Sequence, residues 1–311
     1  MILTLTPNPS VDRTVVVDGI ARGSVNRAES VRVDPGGKGV NVSRALTAHG
    51  TATTAIVPVG GPDGALLIEL LAVSGVSVDP VVIGANTRSN ISILEPDGTT
   101  TKINEPGPAL TPDERAELIA HVVRHASARP QWLVASGSLP PGLDSGFYAA
   151  LVRIGAEYGI PTAIDTTGSA LVQACTAGAA LVKPNEEELA HALGRRLDTL
   201  GDVVDAAESL RAPGGQVVVS LGSRGAVLVD EHGAVLATAR SSTVVSTVGA
   251  GDSLLAGFLH AGTRDAQALA TGVAWGTAAV GLPGSKMPGP AEVASIDVTL
   301  SDPPVALDLH H

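Results

Sequence analysis

Short β-branched runs alternate with longer segments rich in alanine and leucine along most of the chain. This rhythm is typical of a mostly parallel sheet whose strands are connected by helices. Glycines mark the ends of several helical segments, for example at Gly50, Gly75 and Gly159, and Pro112 marks the start of another. The pattern therefore predicts an α/β sandwich with strands at 2–5, 53–59, 131–135, 161–165, 179–182 and 216–221, and helices at 40–49, 64–74, 112–126 and 146–158.

Two regions, 12–35 and 79–104, interrupt this rhythm because they contain alternating residues typical of strands but no helix. In the second region an alternating run turns at Asp97-Gly98 and continues into Thr100. Strands without a covering helix leave one face of their sheet bare. We therefore predict one domain over 1–311, with a small discontinuous sheet that covers a site or pairs with another subunit.

The amino-acid composition indicates an aliphatic core and disfavours nucleic acid and membranes as partners. Hydrophobic residues make up 44% of the chain but aromatic residues only 2%, so a core must be packed from aliphatic side chains. The formal net charge of −11 disfavours a nucleic-acid partner, because no basic stripe exists to displace counterions. No apolar run reaches the ~18 residues of a membrane-spanning helix, and no membrane partner is expected.

Cys175 is the only cysteine, which excludes an internal disulfide and a site of several thiolates. A single thiol suits a reducing compartment, so we expect a cytoplasmic protein in which Cys175 is a small buried residue. The terminal His310 and His311 are native or belong to a purification tag, and the fold prediction sets them aside.

The strongest chemical signal is Gly249-Ala250-Gly251-Asp252, which joins a β-branched run to a helix-like apolar segment. Glycines let the backbone approach an anion closely, and the start of a helix adds N–H donors and a positive dipole. A carboxylate there repels a phosphate, unless it takes a proton from the hydroxyl that attacks the phosphate. Asp252 is therefore either a general base or an ordinary helix cap. A dinucleotide-binding loop fits poorly, because Leu254 replaces the third glycine.

A second glycine cluster over 36–39 precedes a helix but is not a P-loop, because Lys38 is followed by Gly39. Lys38 and Asn41 are placed to face one ligand, which favours a polyhydroxylated or phosphorylated substrate, with a tight turn as the alternative. The chain has only four lysines, and Lys38, Lys102 and Lys183 stand in motif-like surroundings. They are either compact ammonium groups beside phosphates or solvated surface lysines.

Asn185 and Glu188 lie three residues apart at a predicted helix start, after Pro184. Their side chains therefore share one helix face and together suit the water shell of a magnesium ion. Acidic residues in a first turn also complement the helix dipole, so a purely structural role is the alternative. The histidines do not form His-Glu-x-x-His, and Ser136-Gly137-Ser138 is not a nucleophile elbow, which makes zinc and serine hydrolases improbable.

Five segments of the chain, in this order, resemble the phosphofructokinase B-type carbohydrate kinases of the ribokinase-like superfamily. The resemblance implies a three-layer α/β/α sandwich with a mostly parallel central sheet and a small β-sheet lid that often pairs two subunits. It also implies transfer of the γ-phosphoryl group of ATP to a sugar hydroxyl with Mg²⁺. The segments are 6–12, 36–45, 136–142, 182–189 and 246–252.

Each site residue takes its role from this resemblance. Asp252 becomes the base beside the backbone amides of Gly249, Ala250 and Gly251. The resemblance also implies Arg27 as an additional substrate contact. The substrate side comprises Asp12, Gly37, Lys38, Asn41, Arg88, Lys102 and Ser138. The nucleotide side comprises Lys183, Asn185, Ser220, Gly222, Gly225 and Gly284, with Asn185 and Glu188 holding Mg²⁺ through water.

The segments 22–27 and 36–39 most resemble the bacterial 1-phosphofructokinase group, which implies fructose 1-phosphate as the substrate. The segment 104–108 also occurs in tagatose-6-phosphate kinases, and 6-phosphofructokinases belong to the same family. These sugars remain alternatives. A protein of another class, a sugar-phosphate sensor without activity, is a further alternative because a fold alone never guarantees catalysis.

Overall fold

A computed structural model of the protein describes residues 1–241 and 243–309, so His310 and His311 lie outside the described residues. The predicted strands are present, and they differ from the prediction only in their end residues, where assignments commonly vary. The strands are β1 (Ile2–Leu5), β2 (Ser10–Val16), β3 (Ser30–Gly36), β4 (Thr53–Val59), β5 (Ser77–Val82), β6 (Arg88–Leu94), β7 (Thr100–Asn104), β8 (Trp132–Ser136), β9 (Thr162–Asp165), β10 (Leu181–Val182), β11 (Gln216–Ser220), β12 (Ala226–Asp230), β13 (Gly233–Ala239) and β14 (Val298–Ser301).

Local signals account for the helix boundaries. Thr111 caps the third helix through a reciprocal capping box with Glu114, and Gly159 ends the fourth in a left-handed conformation with φ of 69°. The helices are α1 (Lys38–Ala48), α2 (Gly61–Val73), α3 (Pro112–Ala126), α4 (Phe147–Tyr158), α5 (Gly168–Thr176), α6 (Glu186–Leu193), α7 (Leu200–Leu210), α8 (Ala250–His260), α9 (Ala266–Val280) and α10 (Pro290–Val293).

The described residues form a large sheet of ten strands in the order β14-β13-β12-β11-β10-β9-β8-β1-β4-β5. The strands from β11 to β5 run parallel, and β12, β13 and β14 are antiparallel additions at one edge. The sequence pattern did not predict these three antiparallel strands. Because the parallel strands share one direction, the loops at their carboxyl ends meet at one edge of the sheet.

Helices cover both faces of the large sheet. Leu3 and Leu5 of β1 pack into a core with α3, α4, α5 and α7, whereas Ile2 packs into a second core with α1, α8 and α9. Cys175 is buried in the first core, as expected. The predicted three-layer α/β/α sandwich is confirmed. No helix within 1–241 and 243–309 combines the length and apolar character needed to cross a membrane.

A small sheet in the order β3-β2-β6-β7 forms the lid. The second chain segment of this lid starts at Arg88, whereas the sequence pattern predicts its start at residue 79. Residues 79–82 instead belong to β5, which pairs in parallel with β4 at the edge of the large sheet. The reason is the crossover helix α2, which returns the chain alongside β4 and allows Val81 to be buried in the first core.

Strand register gives the lid two different faces. Asp12 pairs with Asn90, and Asn90 with Asn104, so these polar residues share one face. The neighbouring row, Arg13, Ile91 and Ile103, lies on the opposite face. This opposite face is largely apolar, and it leaves Val31 58% and Ile103 54% exposed.

Candidate active site

Asp252 lies in the first turn of α8, where Gly249 is the N-cap residue with φ of 78° and ψ of 0°. This left-handed conformation suits glycine, which has no Cβ. No side chain caps the helix, so the alternative that Asp252 is the cap is wrong. The Asp252 carboxylate is buried and accepts a hydrogen bond of 2.8 Å from Asn41 Nδ2. It therefore belongs to a polar site between α1 and α8.

The surroundings of Asp252 shift its proton affinity. Burial raises the pKa of Asp252 to about 6, and the negative charge of Asp165 adds to the rise. The ammonium groups of Lys38 and Lys183 and the hydrogen bond from Asn41 act in the opposite direction. A carboxylate with a pKa near neutrality exchanges its proton easily at physiological pH, as a general base must.

A fully buried carboxylate, Asp165, joins the two predicted sides of the site. Its Oδ1 accepts a hydrogen bond of 2.7 Å from Lys38 Nζ, and its Oδ2 lies 3.0 Å from Lys183 Nζ. A Cβ atom on Gly251 would lie 3.3 Å from Lys183 Nζ, so the glycine loop is in contact with this pair. The lysines of the second glycine cluster and of the segment 182–189 therefore meet beside the α8 N-terminus.

Sequence reasoning missed Asp165. The available signal was its position at the carboxyl end of a predicted parallel strand, where ligand sites of such sheets form. Burial by itself would raise the pKa of Asp165, but Lys183 and Lys38 outweigh it and hold the pKa below its usual range. Burial by itself would lower the pKa of Lys38, but Asp165 and Glu188 outweigh it and raise the pKa. Asp165 and Lys38 are thus held in their charged forms.

Asn185 and Glu188 form a reciprocal capping box at the start of α6. Asn185 Oδ1 accepts the Glu188 N–H at 2.7 Å, and Glu188 Oε2 accepts the Asn185 N–H at 2.9 Å. The second oxygen, Glu188 Oε1, accepts a hydrogen bond of 3.0 Å from Lys38 Nζ. The structural role is therefore present, and one Glu188 oxygen faces the site. In the part of the chain that the structure describes, no three His, Cys, Asp or Glu side chains could hold a metal ion.

The loop 220–225 lies beside the start of α6. The Ser220 N–H donates to the Pro184 carbonyl at 3.1 Å, and Arg224 Nη2 donates to Glu186 Oε2 at 2.8 Å. Between them, residues 222–224 form one turn of 3₁₀ helix, which opens with Gly222 and is followed by Gly225. The structure thus brings the predicted nucleotide residues Ser220, Gly222, Gly225, Lys183 and Asn185 to one region.

The lid contributes Asp12 to the start of α1. Asp12 Oδ1 accepts hydrogen bonds from Ser10 Oγ at 2.7 Å and Asn90 Nδ2 at 2.9 Å. A Cβ atom on Gly36 would collide with the Asp12 carboxylate, so this carboxylate lies directly against the glycine cluster. Gly37 then caps α1 with φ of 112°, which places Lys38 at the helix start.

The other predicted substrate residues lie on different elements of the fold. Arg88 begins β6 on the polar lid face, and its Nη1 donates to the Glu105 carbonyl at 2.9 Å. Ser138 Oγ accepts a hydrogen bond of 3.1 Å from Asn8 Nδ2. Lys102 is exposed on β7, and Arg27 is exposed in the loop between β2 and β3.

Gly284 does not join the nucleotide cluster of 183–225. It lies against the lid, where a Cβ atom would collide with the Arg32 guanidinium of β3. Its loop continues to Met287, whose Cε would lie 2.9 Å from a Cβ on Gly249. The loop therefore bridges the lid and the start of α8. A role of Gly284 at the adenine remains a prediction.

This arrangement combines a helix N-terminus, the buried carboxylates of Asp165 and Asp252, the buried ammonium group of Lys183 and the half-buried one of Lys38 at the carboxyl edge of a parallel sheet. Such a site is suited to phosphoryl transfer, in which positioning and charge stabilisation supply most of the catalysis. The fold and site therefore define a phosphotransferase that acts on an alcohol group.

Comparison with known proteins identifies the family. The sequence model of the pfkB family of carbohydrate kinases matches residues 6–291. The chain is 37% identical over 307 residues to a 1-phosphofructokinase of Rhodobacter capsulatus, covering 96% of both chains. It is 38% identical over 260 residues to the ATP-dependent 6-phosphofructokinase isozyme 2 of Mycobacterium tuberculosis strain H37Rv, covering 82% of this chain and 76% of that one. The chain belongs to the pfkB family of carbohydrate kinases.

A solved structure agrees with this assignment. The phosphofructokinase-2 of Escherichia coli, in complex with potassium, superposes with a TM-score of 0.87 at 34% identity. The match covers 94% of this chain and 96% of that chain. The similarity therefore extends over the large sheet, its helices and the lid.

Proposed function

We propose that the protein is an ATP-dependent kinase that converts fructose 1-phosphate to fructose 1,6-bisphosphate. The observation that carries the proposal is the Asp252 carboxylate, which is buried beside the N-terminus of α8 with its pKa raised to about 6. A base of this strength suits abstraction of a proton at neutral pH. The relative from Rhodobacter capsulatus supports the choice of sugar, because its name is 1-phosphofructokinase.

In the proposed step Asp252 accepts the proton of the sugar 6-hydroxyl while the hydroxyl oxygen forms a bond to the γ-phosphorus of ATP. The bond from that phosphorus to the β–γ bridging oxygen breaks, and ADP leaves with the electron pair. The proton remains on Asp252 until water removes it. The backbone amides of Gly249, Ala250 and Gly251 stabilise the charge on the transferring group.

The lid and α1 would hold the sugar. Asp12 and Asn41 have polar atoms that suit sugar hydroxyls, and Gly37 permits close approach of the backbone. The existing phosphate would be bound by Lys38, Arg88, Lys102 and Ser138. Arg88 Nε is buried and lacks a hydrogen-bond partner among the described residues, so a phosphate oxygen would satisfy it.

The nucleotide would lie on the opposite side of Asp252, along Lys183, Asn185 and the loop 220–225. The donor set also fits Mg²⁺ held through water, because Glu188 Oε1 takes no part in the capping box and faces the site. Kinase sites typically hold Mg²⁺ with one or two carboxylates plus substrate phosphates. Asn185 and Glu188 would hold this ion through water, and the bound ion would neutralise phosphate charge.

The alternatives are separated by one assay. ADP release is measured with fructose 1-phosphate, fructose 6-phosphate, tagatose 6-phosphate and unphosphorylated fructose, each over a range of concentrations. We expect the highest kcat/KM with fructose 1-phosphate. A higher value with another sugar phosphate would replace the proposed substrate, and tight binding without turnover would favour the sensor.

The raised pKa of Asp252 predicts a pH dependence of the activity. The base must be ionised, so kcat/KM is expected to be full above the pKa and to fall tenfold per unit as the pH drops below about 6. Initial rates from acid to neutral pH measure this limb. A limb near the ordinary range of an aspartate would contradict the prediction.

The substrate phosphate also ionises near pH 6, so the fall in kcat/KM at acid pH could come from Asp252 or from the substrate. A variant distinguishes the two. The Asn41 hydrogen bond lowers the pKa of Asp252, and its loss should move a limb that belongs to Asp252 to higher pH. We therefore expect Asn41→Ala to shift the limb upward. A limb that stays in place would belong to the substrate.

We also propose that the protein is a cytoplasmic homodimer, formed through the apolar face of the lid. Val31 and Ile103 are exposed on this face, beside the half-buried Ile91 and Ile93. Exposed apolar side chains grouped on one face of a sheet are typical of a protein interface. A second copy of the chain presents the same face, as an isologous contact requires.

Ile103→Asp is expected to convert the dimer to a monomer, because it places a charge at an exposed apolar position of this contact. Light scattering after size exclusion measures the mass. Thr100→Asp, a matched change on the polar face of the same strand, should leave the dimer intact. A wild-type monomer, or dissociation by both variants, would contradict the proposed interface.

A further inference from the structure

Arg44 follows Asn41 by three residues on α1, so the two side chains share one face of the helix. The proposed mechanism gives Arg44 no role. Nevertheless its Nη1 lies within hydrogen-bond distance of Asn41 Oδ1 at 3.2 Å, the Pro35 carbonyl at 3.3 Å, and Ser285 O and Oγ at 3.0 and 3.5 Å. Arg44 thus contacts α1, the lid strand β3 and the loop after α9.

The contact with Asn41 determines which way its amide points. A side-chain amide has a donor end and an acceptor end, whereas a guanidinium only donates. With Oδ1 held by Arg44, Asn41 presents Nδ2 to the Asp252 carboxylate at 2.8 Å. The reversed amide would place its oxygen against a carboxylate and its NH₂ against a cation. Both contacts would be repulsive, so Arg44 favours the orientation that supports Asp252.

The other contacts of Arg44 connect it to the lid strand β3 and to the loop at Ser285. Pro35 lies on the lid strand that leads to Gly36, against which the Asp12 carboxylate packs. Ser285 belongs to the loop that also brings Gly284 against Arg32. Asp34, Asp12 and Arg32 are the charged groups near the Arg44 guanidinium. A single side chain therefore ties the lid and this loop to the amide that binds Asp252.

We propose that Arg44 is a positioning residue that orients the Asn41 amide, and through it the Asp252 carboxylate, when the lid strand β3 and the loop at Ser285 are in place. The inference rests on the proposed function of Asp252. Arg44 holds the Asn41 amide in one orientation, and the Asn41 amide in turn donates to the ionised Asp252 carboxylate.

The first test compares Arg44→Met and Arg44→Lys in steady-state kinetics, with Arg153→Met as the control. Arg153 is exposed on α4, away from these contacts. We expect Arg44→Met to lower kcat by about tenfold while the KM for ATP changes by less than about threefold, because the loss is one of positioning. Arg44→Lys keeps a donor and should recover part of kcat. Equal kcat in wild type and Arg44→Met would overturn the inference.

A double-mutant cycle separates positioning from general damage. If Arg44 acts through Asn41, then in the Asn41→Ala background Arg44→Met should change kcat by less than about twofold. If the double variant instead lost kcat by the product of the two single losses, the inference would be overturned. Melting curves of all variants are recorded with the kinetics. If Arg44→Met does not fold, Arg44→Lys replaces it in the double-mutant cycle.

A second readout does not need activity. The Asp252 carboxyl is titrated by ¹³C NMR in protein labelled at aspartate, with its signal assigned from the Asp252→Asn spectrum. The groups that face it are Asp165, Lys38, Lys183 and Asn41. We expect the titration midpoint to rise in Arg44→Met and in Asn41→Ala but not in Arg153→Met. An unchanged midpoint in Arg44→Met would overturn the inference even if no sugar were phosphorylated, whereas an inactive wild type with the expected shifts would overturn only the proposed function.

Discussion

Asp252→Asn is expected to lower kcat by at least about 10²-fold, the range for loss of a general base. The amide has nearly the shape of the carboxylate but does not accept the hydroxyl proton. Its oxygen still accepts the hydrogen bond from Asn41, so KM for both substrates should change little. Steady-state kinetics at saturating ATP and fructose 1-phosphate measure the effect. Wild-type kcat in this variant would remove Asp252 from the chemistry.

A matched control shows whether a loss of kcat comes from a weakened helix N-terminus or from the missing proton acceptor. Asp113 lies in the first turn of α3, as Asp252 lies in that of α8, but it is exposed and belongs to no proposed site. Asp113→Asn should keep kcat and lose at most a fraction of a kcal/mol, roughly 0.3–1, from the helix dipole. Melting curves of both variants complete the comparison.

Arg88→Ala is expected to lower kcat/KM for fructose 1-phosphate by about 10- to 100-fold, which corresponds to a charge-assisted hydrogen bond of ~1.5–3 kcal/mol. Plain fructose has no phosphate to bind, so its kcat/KM should change by less than about twofold. In the wild type the phosphate-binding cations Lys38, Arg88 and Lys102 should together separate the two sugars by about 10³-fold or more. Arg88→Ala therefore reduces the difference in kcat/KM between fructose 1-phosphate and fructose.

Arg13→Ala is the control for this prediction. Arg13 is on the other face of the lid and forms an ion pair of 2.9 Å with Asp63 of α2. Its loss should affect both sugars equally and lower the melting temperature slightly. If Arg88→Ala also reduced both sugars equally, Arg88 would support the lid and would not bind the phosphate.

The prediction from the sequence was most successful where the signal was local. Gly249 to Asp252 required only that glycines precede a helix, and the bounds 112–126 followed from Pro112 and the apolar period. The boundary at 79 was wrong because a half-buried edge strand and a lid strand have similar alternation. Whether residues 79–82 pair with β4 or with β6 depends on the path of α2, and no local pattern encodes that path.

The sequence by itself determined the fold class, the glycine loop with its carboxylate and the lysines available to phosphates, because these depend on residue type and short spacing. Only the tertiary structure decided how they combine. The bond from Lys38 to Asp165 spans 127 positions of the chain, and that from Asn41 to Asp252 spans 211. Such contacts form because the parallel strands end at one edge of the sheet, which brings loops distant in the chain together. Burial there sets the pKa of Asp252, and burial is a property of the packed structure alone.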